Sequence, residues 1–264
     1  MPDTTGATQT IDEVGELLVT LLATPASRVT ACRGWTAHEL VAHLAAGAAE
    51  EADLIEAHLR GDPERPTRGF EERELPFRAL PDPQLRDRLV EEASRLTVAL
   101  DRLAGEPARG GVQFTGRAMT AADFAMHSRS ECALHRWDLV GRDDVGWAML
   151  SQPELTIHAL GVLAAMWTLP EAPVNRLAHL GDRQPIRAVL RSTGHDDVVV
   201  TARDGTVAIA QMPVDAQPAS IELDAAARLL LLWGRHEPSA AVDLRADLHA
   251  DDGARRVIEA LLGW

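Results

Sequence analysis

Helical and β-like patterns are segregated along this chain, and that separation limits its fold more than any other feature. Up to about residue 140 the apolar residues recur at helical spacing, whereas short β-like runs begin only at Ile186. Such segregation predicts an α+β protein, because an alternating arrangement would be needed for a parallel, doubly wound sheet. Four long helical segments stand in the first part. Residues 10–24 form an amphipathic stretch with acids at its start. Thr36 and Glu39 form a capping box, with Trp35 and Leu40 placed as a hydrophobic staple, and open a helix towards Arg60. Gln84 to Leu103 places Leu85, Leu89, Ala93, Leu96 and Leu100 on one face. Thr120 caps a helix from Ala121 to about Val140, with Asp123 three residues on. Mostly short links predict an antiparallel four-helix bundle, whose ligands come from facing helices. The Pro-, Gly- and charge-rich stretch from Gly61 to Pro83 is long enough to cover a site or carry a short helix.

Beyond Gly141 the pattern changes. Pro153 to Trp167 reads as one more helix, followed by irregular chain marked by Pro170, Pro173 and Pro185. Strand-like runs then cover 186–190, 197–201 and 206–210, with a hairpin signal at Arg203-Asp204-Gly205. Ala219 to Leu223 reads as another strand. Asp224 caps a helix holding Leu229 to Trp233, closed by Gly234. Ala241 to Leu248 alternates weakly as a strand, and Asp251 to Leu262 reads as a last amphipathic helix. The expected division is a bundle over residues 1–150 and a smaller α/β domain over 151–264.

With 26 basic residues against 40 acidic, the net charge of −14 argues against nucleic acid or an anionic membrane surface as partner. The sequence has no lysine and no tyrosine, which excludes a Schiff-base lysine or a catalytic tyrosine. Cys32 and Cys132 form neither a metal pair nor a disulfide framework. No secretory signal or membrane-length apolar run is visible, so a cytoplasmic protein with reduced thiols is expected.

The chemistry-bearing stretch is Met126 to Asp138. Glu131 and His135 are four residues apart and project from one helix face, so one carboxylate oxygen and one imidazole nitrogen can meet at a point. Catalytic zinc sites take three protein ligands. The best third candidate is His43, which lies in the Leu40/Leu44/Gly47 stripe and so should point into the bundle; His127 is the competitor. Cys132 points about 100° away from Glu131 and reads as a packed thiol. Asp138 reads as a salt-bridge partner in preference to an outer-shell support for a ligand histidine.

Three motifs, Gly34-Trp35-Thr36-Ala37-His38-Glu39-Leu40-Val41-Ala42-His43-Leu44, Glu131-Cys132-Ala133-Leu134-His135-Arg136-Trp137-Asp138 and Leu230-Leu231-Leu232-Trp233-Gly234-Arg235, together resemble the mycothiol-dependent maleylpyruvate isomerase family. The resemblance covers nearly the whole chain. It implies a DinB-like metal-binding bundle followed by a C-terminal α/β (SCP2-like) domain. It also implies a divalent metal, zinc by the donor set, on His43, Glu131 and His135, and mycothiol as thiol cosubstrate. Arg235 matches the arginine that reaches the active site from the C-terminal domain, as a catalytic and cofactor-binding group. The implied partners are an electrophilic small molecule and the thiol, and the oligomeric state is a monomer or homodimer. A metal-activated thiolate could add to a cis double bond, allow rotation and leave, or stay attached to an electrophilic carbon, giving an isomerase or an S-transferase. Two other functions fit the sequence: a non-catalytic binder of an apolar ligand, and a metal-dependent hydrolase using bound water.

Overall fold

A computed structural model describes residues 12–166, 180, 185–204, 206–214, 218–235 and 252–262. The chain folds as a two-part α+β protein, with a helical bundle preceding a small sheet and its covering helices. Helix α1 (Glu13–Leu22) starts at Asp12, whose carboxylate accepts the Gly15 N–H. Helix α2 (Ala37–Arg60) starts at Thr36, whose backbone N–H donates to Glu39 at 2.8 Å, and ends at Gly61 in the left-handed region, φ 78°. A glycine there avoids the Cβ clash of that conformation.

The 61–83 stretch carries a short helix, α3 (Phe70–Arg78), before α4 (Asp82–Gly105). A hairpin of β1 (Val112–Phe114) and β2 (Arg117–Met119) leads into α5 (Ala121–Val140), which Thr120 and Asp123 cap reciprocally. The hairpin had no counterpart in the sequence reading. Its turn is Thr115-Gly116, both at positive φ (46° and 79°), as a two-residue turn matched to strand twist requires.

Within the bundle, α2 packs along α4 and α1 along α5. Two apolar clusters hold it together. Leu17, Leu21, Leu40, Val41, Leu85, Leu89 and Leu139 form one. Ile55, Leu59, Leu96, Leu103, Phe114 and Phe124 form the other. Between Val41 and Ala52 the inner stripe of α2 changes to His43, Gly47 and Glu51, each four residues from the next. This polar interval between two apolar layers is where the candidate site lies.

After α5 come a helix the sequence reading did not foresee, α6 (Asp144–Leu150), and α7 (Pro153–Met166). Asp143 starts α6 by accepting the Gly146 N–H at 2.7 Å. The sheet has the order β5-β4-β3-β6, built from β3 (Ile186–Arg191), β4 (Asp197–Arg203), β5 (Thr206–Met212) and β6 (Ile221–Glu222). Neighbours are antiparallel except β6, which runs parallel to β3. Helices α8 (Ala225–Leu232) and α9 (Asp252–Leu262) complete the fold. One apolar cluster unites Ala133, Leu134 and Trp137 of α5 with Met149, Leu163, Leu190, Val200, Leu229 and Ile258. Helix α5 therefore faces the bundle on one side and the sheet's helices on the other. The strand expected over 241–248 and the prolines at 170 and 173 lie outside the described residues. Among the described residues, no helix is long and apolar enough to cross a membrane.

Candidate metal centre

The second turn of α2 and the middle of α5 face each other across the polar interval. His43 Nε2 lies 3.4 Å from Glu131 Oε2, and His135 Nε2 lies 3.3 Å from the same oxygen. The opposite ring nitrogens are fixed by carboxylates: His43 Nδ1 is 2.8 Å from Glu74 of α3, and His135 Nδ1 is 2.9 Å from Asp138. Glu74 and Asp138 are buried and each is also held by an arginine, Arg78 and Arg235 respectively. A carboxylate accepts a hydrogen bond from Nδ1–H, so a neutral imidazole held this way presents its Nε2 lone pair to the other side.

Two lone pairs and a carboxylate then converge on one point, and only a positive charge between them relieves the repulsion. Burial would raise the Glu131 carboxyl, but hydrogen bonds from His135 and His43 hold it well below the usual carboxylate range. For His135, burial acts downwards, and hydrogen bonds with Asp138, Cys32 and Glu131 more than reverse it, leaving the ring well above its ordinary value. A proton or a divalent ion can supply that charge. Two imidazoles and one carboxylate are a donor set that zinc takes in catalytic sites, with a position left open. The residues present therefore fit a metal. Glu131 is the most open of the three side chains, at 23 % exposure against 12 % for His43 and 5 % for His135.

Among the described residues a second overlapping group, Cys32, His135 and Asp138, could also hold an ion. Its charge balance is less favourable. Arg235 already pairs with both Asp138 oxygens, at 2.7 and 2.8 Å, and its Nη2 lies 3.5 Å from Cys32 Sγ. A second cation there would sit against a guanidinium, so Asp138 is better placed as the support of His135.

The structure thus brings His43, Glu131 and His135 together, and sets Arg235 behind His135 through Asp138. Asp138 is the salt-bridge partner that its sequence context suggested, and it supports His135 as well: it is 3 % exposed, and burial, which would raise its pKa, is outweighed by His135 and Arg235, which lower it. His127 turns away from the convergence point, with Nδ1 3.3 Å from His158 and Nε2 3.7 Å from Glu51. Cys132 packs in the apolar cluster beside α1, and burial pushes its thiol up to about 12, consistent with an inert side chain. Trp35, read from sequence as a staple, lies against the site: its ring centroid is 5.1 Å from that of His43 and 6.4 Å from that of His135.

Glu74 gave no sequence signal, because α3 is charge-rich and its bond to His43 spans 31 residues. Removing it frees the His43 ring to rotate. Glu74→Ala is expected to weaken metal affinity by about 10- to 100-fold, as loss of such supports does, measured by competition with a chelator of known affinity.

Fold and donor set together define a two-part α+β protein with a candidate His/Glu/His centre inside its helical bundle. Residues 7–140, half of the chain, match the family described as the mycothiol maleylpyruvate isomerase N-terminal domain, and the chain belongs to that family. Two solved structures share its fold. One, described as the mycothiol-dependent maleylpyruvate isomerase, is 16% identical with a TM-score of 0.59 and covers 86% of each chain. The other, a histidine-to-alanine variant with the same description, is 16% identical with a TM-score of 0.58, over 84% of this chain and 85% of that one. No curated protein matches the sequence significantly.

Proposed function

We propose that this chain is a metal-dependent enzyme that presents a low-molecular-weight thiol, mycothiol, to an electrophilic small molecule, acting as an isomerase or an S-transferase. One observation carries the reading: two Nε2 atoms, each backed by a carboxylate on its own Nδ1, aim at a single oxygen of Glu131. His43, Glu131 and His135 are the ligands in this reading, and zinc is the ion that suits them. A divalent ion held there would keep a bound thiol as its nucleophilic thiolate. The chain's own contribution is orientation. Glu74 and Asp138 fix the two rings, and Trp35 and Phe70 place aromatic surface against His43.

Arg235 is the catalytic and cofactor-binding group of the proposal. Asp138 holds its Nε and Nη2, so its charge is fixed beside His135 without a search through rotamers. In this assignment residues 1–150 supply the ligands and residues 151–264 supply Arg235, in a protein of the cytoplasm. The solved relatives are described as acting on maleylpyruvate, which makes it the first substrate to test.

The test is purification without added metal, elemental analysis, and assay of maleylpyruvate isomerisation with and without added thiol. The expected result is about one divalent ion per chain and turnover that requires the thiol. Turnover indifferent to thiol would favour a hydrolase with bound water. A metal-free protein stabilised by apolar ligands would favour a binding protein.

A further inference from the structure

Beside the candidate centre lies a second polar group that the reading above does not use: Glu51 of α2, Arg73 of α3, Arg117 of β2, His127 of α5 and His158 of α7. Arg73 is 8 % exposed, yet its guanidinium makes no hydrogen bond or ion pair among the described residues, and its Nε is buried with no partner. It lies 4.5 Å over the ring of Phe70, which in turn is 5.8 Å from the His43 ring. Arg117 is half-buried. Among the described residues its Nε is likewise unpartnered, and its one hydrogen bond is the weak one from Nη2 to Met119 sulfur at 3.4 Å. It reaches α7 one turn past His158, where a Cβ at Gly161 would stand 3.7 Å from Nη1.

A buried cation without a partner is costly, and proteins keep one where a ligand supplies the missing charge. Arg73 reaches the proposed ligands through Phe70, and Arg117 reaches α7 near His158, whose ring nitrogen is 3.3 Å from that of His127; the charges of both arginines act on His127. Asp123, whose charge acts on Arg117, is bonded to Thr120, and among the described residues no acid hydrogen-bonds either guanidinium. Glu131 is engaged by two histidines, and Glu51 bonds neither arginine. Burial and then the Glu131 charge push the Glu51 carboxyl up to about 8, with Arg73 acting the other way. Burial drives His158 down to about 4, helped by His127 and Arg117, so the histidines add no counter-charge and no further cation.

We propose that Arg73 and Arg117 form an anion subsite next to the metal centre, and that it takes a carboxylate of a small organic acid serving as the electrophile. The planar fork of a guanidinium matches a carboxylate, and two forks on separate elements suit a substrate with more than one acid group. The proposal rests on the thiol-enzyme reading for the site's purpose, but its residues and its test are independent of that reading.

The test is calorimetric titration of the metal-loaded protein with maleate, and with acetate and inorganic phosphate as comparators. Wild type is expected to bind maleate most tightly, and R73Q and R117Q each to weaken it by about tenfold or more with metal content unchanged. R73K, which keeps the charge but loses the fork, is expected to bind maleate with an affinity between those of wild type and R73Q. The melting temperature of R73Q without ligand is expected to hold or rise, since the variant removes an unpartnered buried charge. Maleate affinity within about twofold of wild type in both glutamine variants would overturn the subsite, as would a fall in melting temperature with binding unchanged. Should R73Q not fold, R117Q and R73K carry the same comparison. Phosphate bound more tightly than maleate would overturn the carboxylate assignment. If maleate binding depends on both arginines but turnover does not need a thiol, the subsite stands and the thiol-enzyme reading fails.

Discussion

His43→Ala is expected to leave the purified protein with substoichiometric metal, where wild type retains about one ion per chain through dialysis. The remaining donors, Glu131 and His135, lie on one helix four residues apart, and two ligands on a single element hold an ion far less well than three from two elements. The loss should exceed the ~10- to 100-fold expected on removing a supporting carboxylate such as Glu74. His43 also fills space between Trp35 and Phe70, so circular dichroism should accompany the metal analysis. A folded variant with wild-type metal content would remove His43 from the ligand set.

Asp138→Ala has the second large effect, and it falls on stability. The Asp138 carboxylate serves three groups at once: His135 Nδ1 at 2.9 Å, Arg235 through two nitrogens, and the Cys32 thiol, which donates at 3.1 Å. Among the described residues, removing it leaves the Arg235 guanidinium, 20 % exposed, with only the Trp233 carbonyl at 3.3 Å and the Cys32 sulfur as hydrogen-bond partners. Breaking one side of such a pair costs about 3–5 kcal/mol, most of it from the stranded charge. In a chain of this size that corresponds to a fall in Tm of about 10 °C. The double variant D138A/R235A should be less damaged than the sum of its parts, because the stranded cation is gone. A melting temperature for Asp138→Ala within about 2 °C of wild type would show that this pair bears little of the fold's stability.

Features set by neighbouring residues were readable from sequence. The capping boxes at Thr36/Glu39 and Thr120/Asp123 fix helix starts within four residues, and both stand where they were expected. The strands at 186, 197 and 206 and the cap at Asp224 follow from equally local signals. Short elements escaped. Helix α6 has seven residues, too few to display a period, and the β1–β2 hairpin turns on Thr115-Gly116, a weaker signal than Asn-Gly or Asp-Gly.

For the site, Glu131 and His135 were readable because their spacing alone puts them on one face. Their supports were not. Glu74 meets His43 across 31 residues, and Arg235 meets Asp138 across 97. An aspartate at 138 reads from sequence as a salt-bridge partner, but the arginine that lets it be buried is 97 residues away, and burying it alone would be prohibitive. The same holds for Glu50, which is fully buried only because Arg65 and Arg68 from the following loop close over it. Long-range ion pairing decided which acids could enter the interior, and no local pattern records it.

The central claim is that His43, Glu131 and His135 hold one ion with a position left for an external sulfur. X-ray absorption on the zinc-loaded protein, before and after adding mycothiol, tests it most directly, with a Cys32→Ser variant run in parallel. Nitrogen and oxygen neighbours alone are expected at first, then one sulfur neighbour after the thiol is added, in both proteins alike. A sulfur neighbour present before any thiol and lost in the Cys32→Ser protein, or none at any thiol concentration, would contradict it.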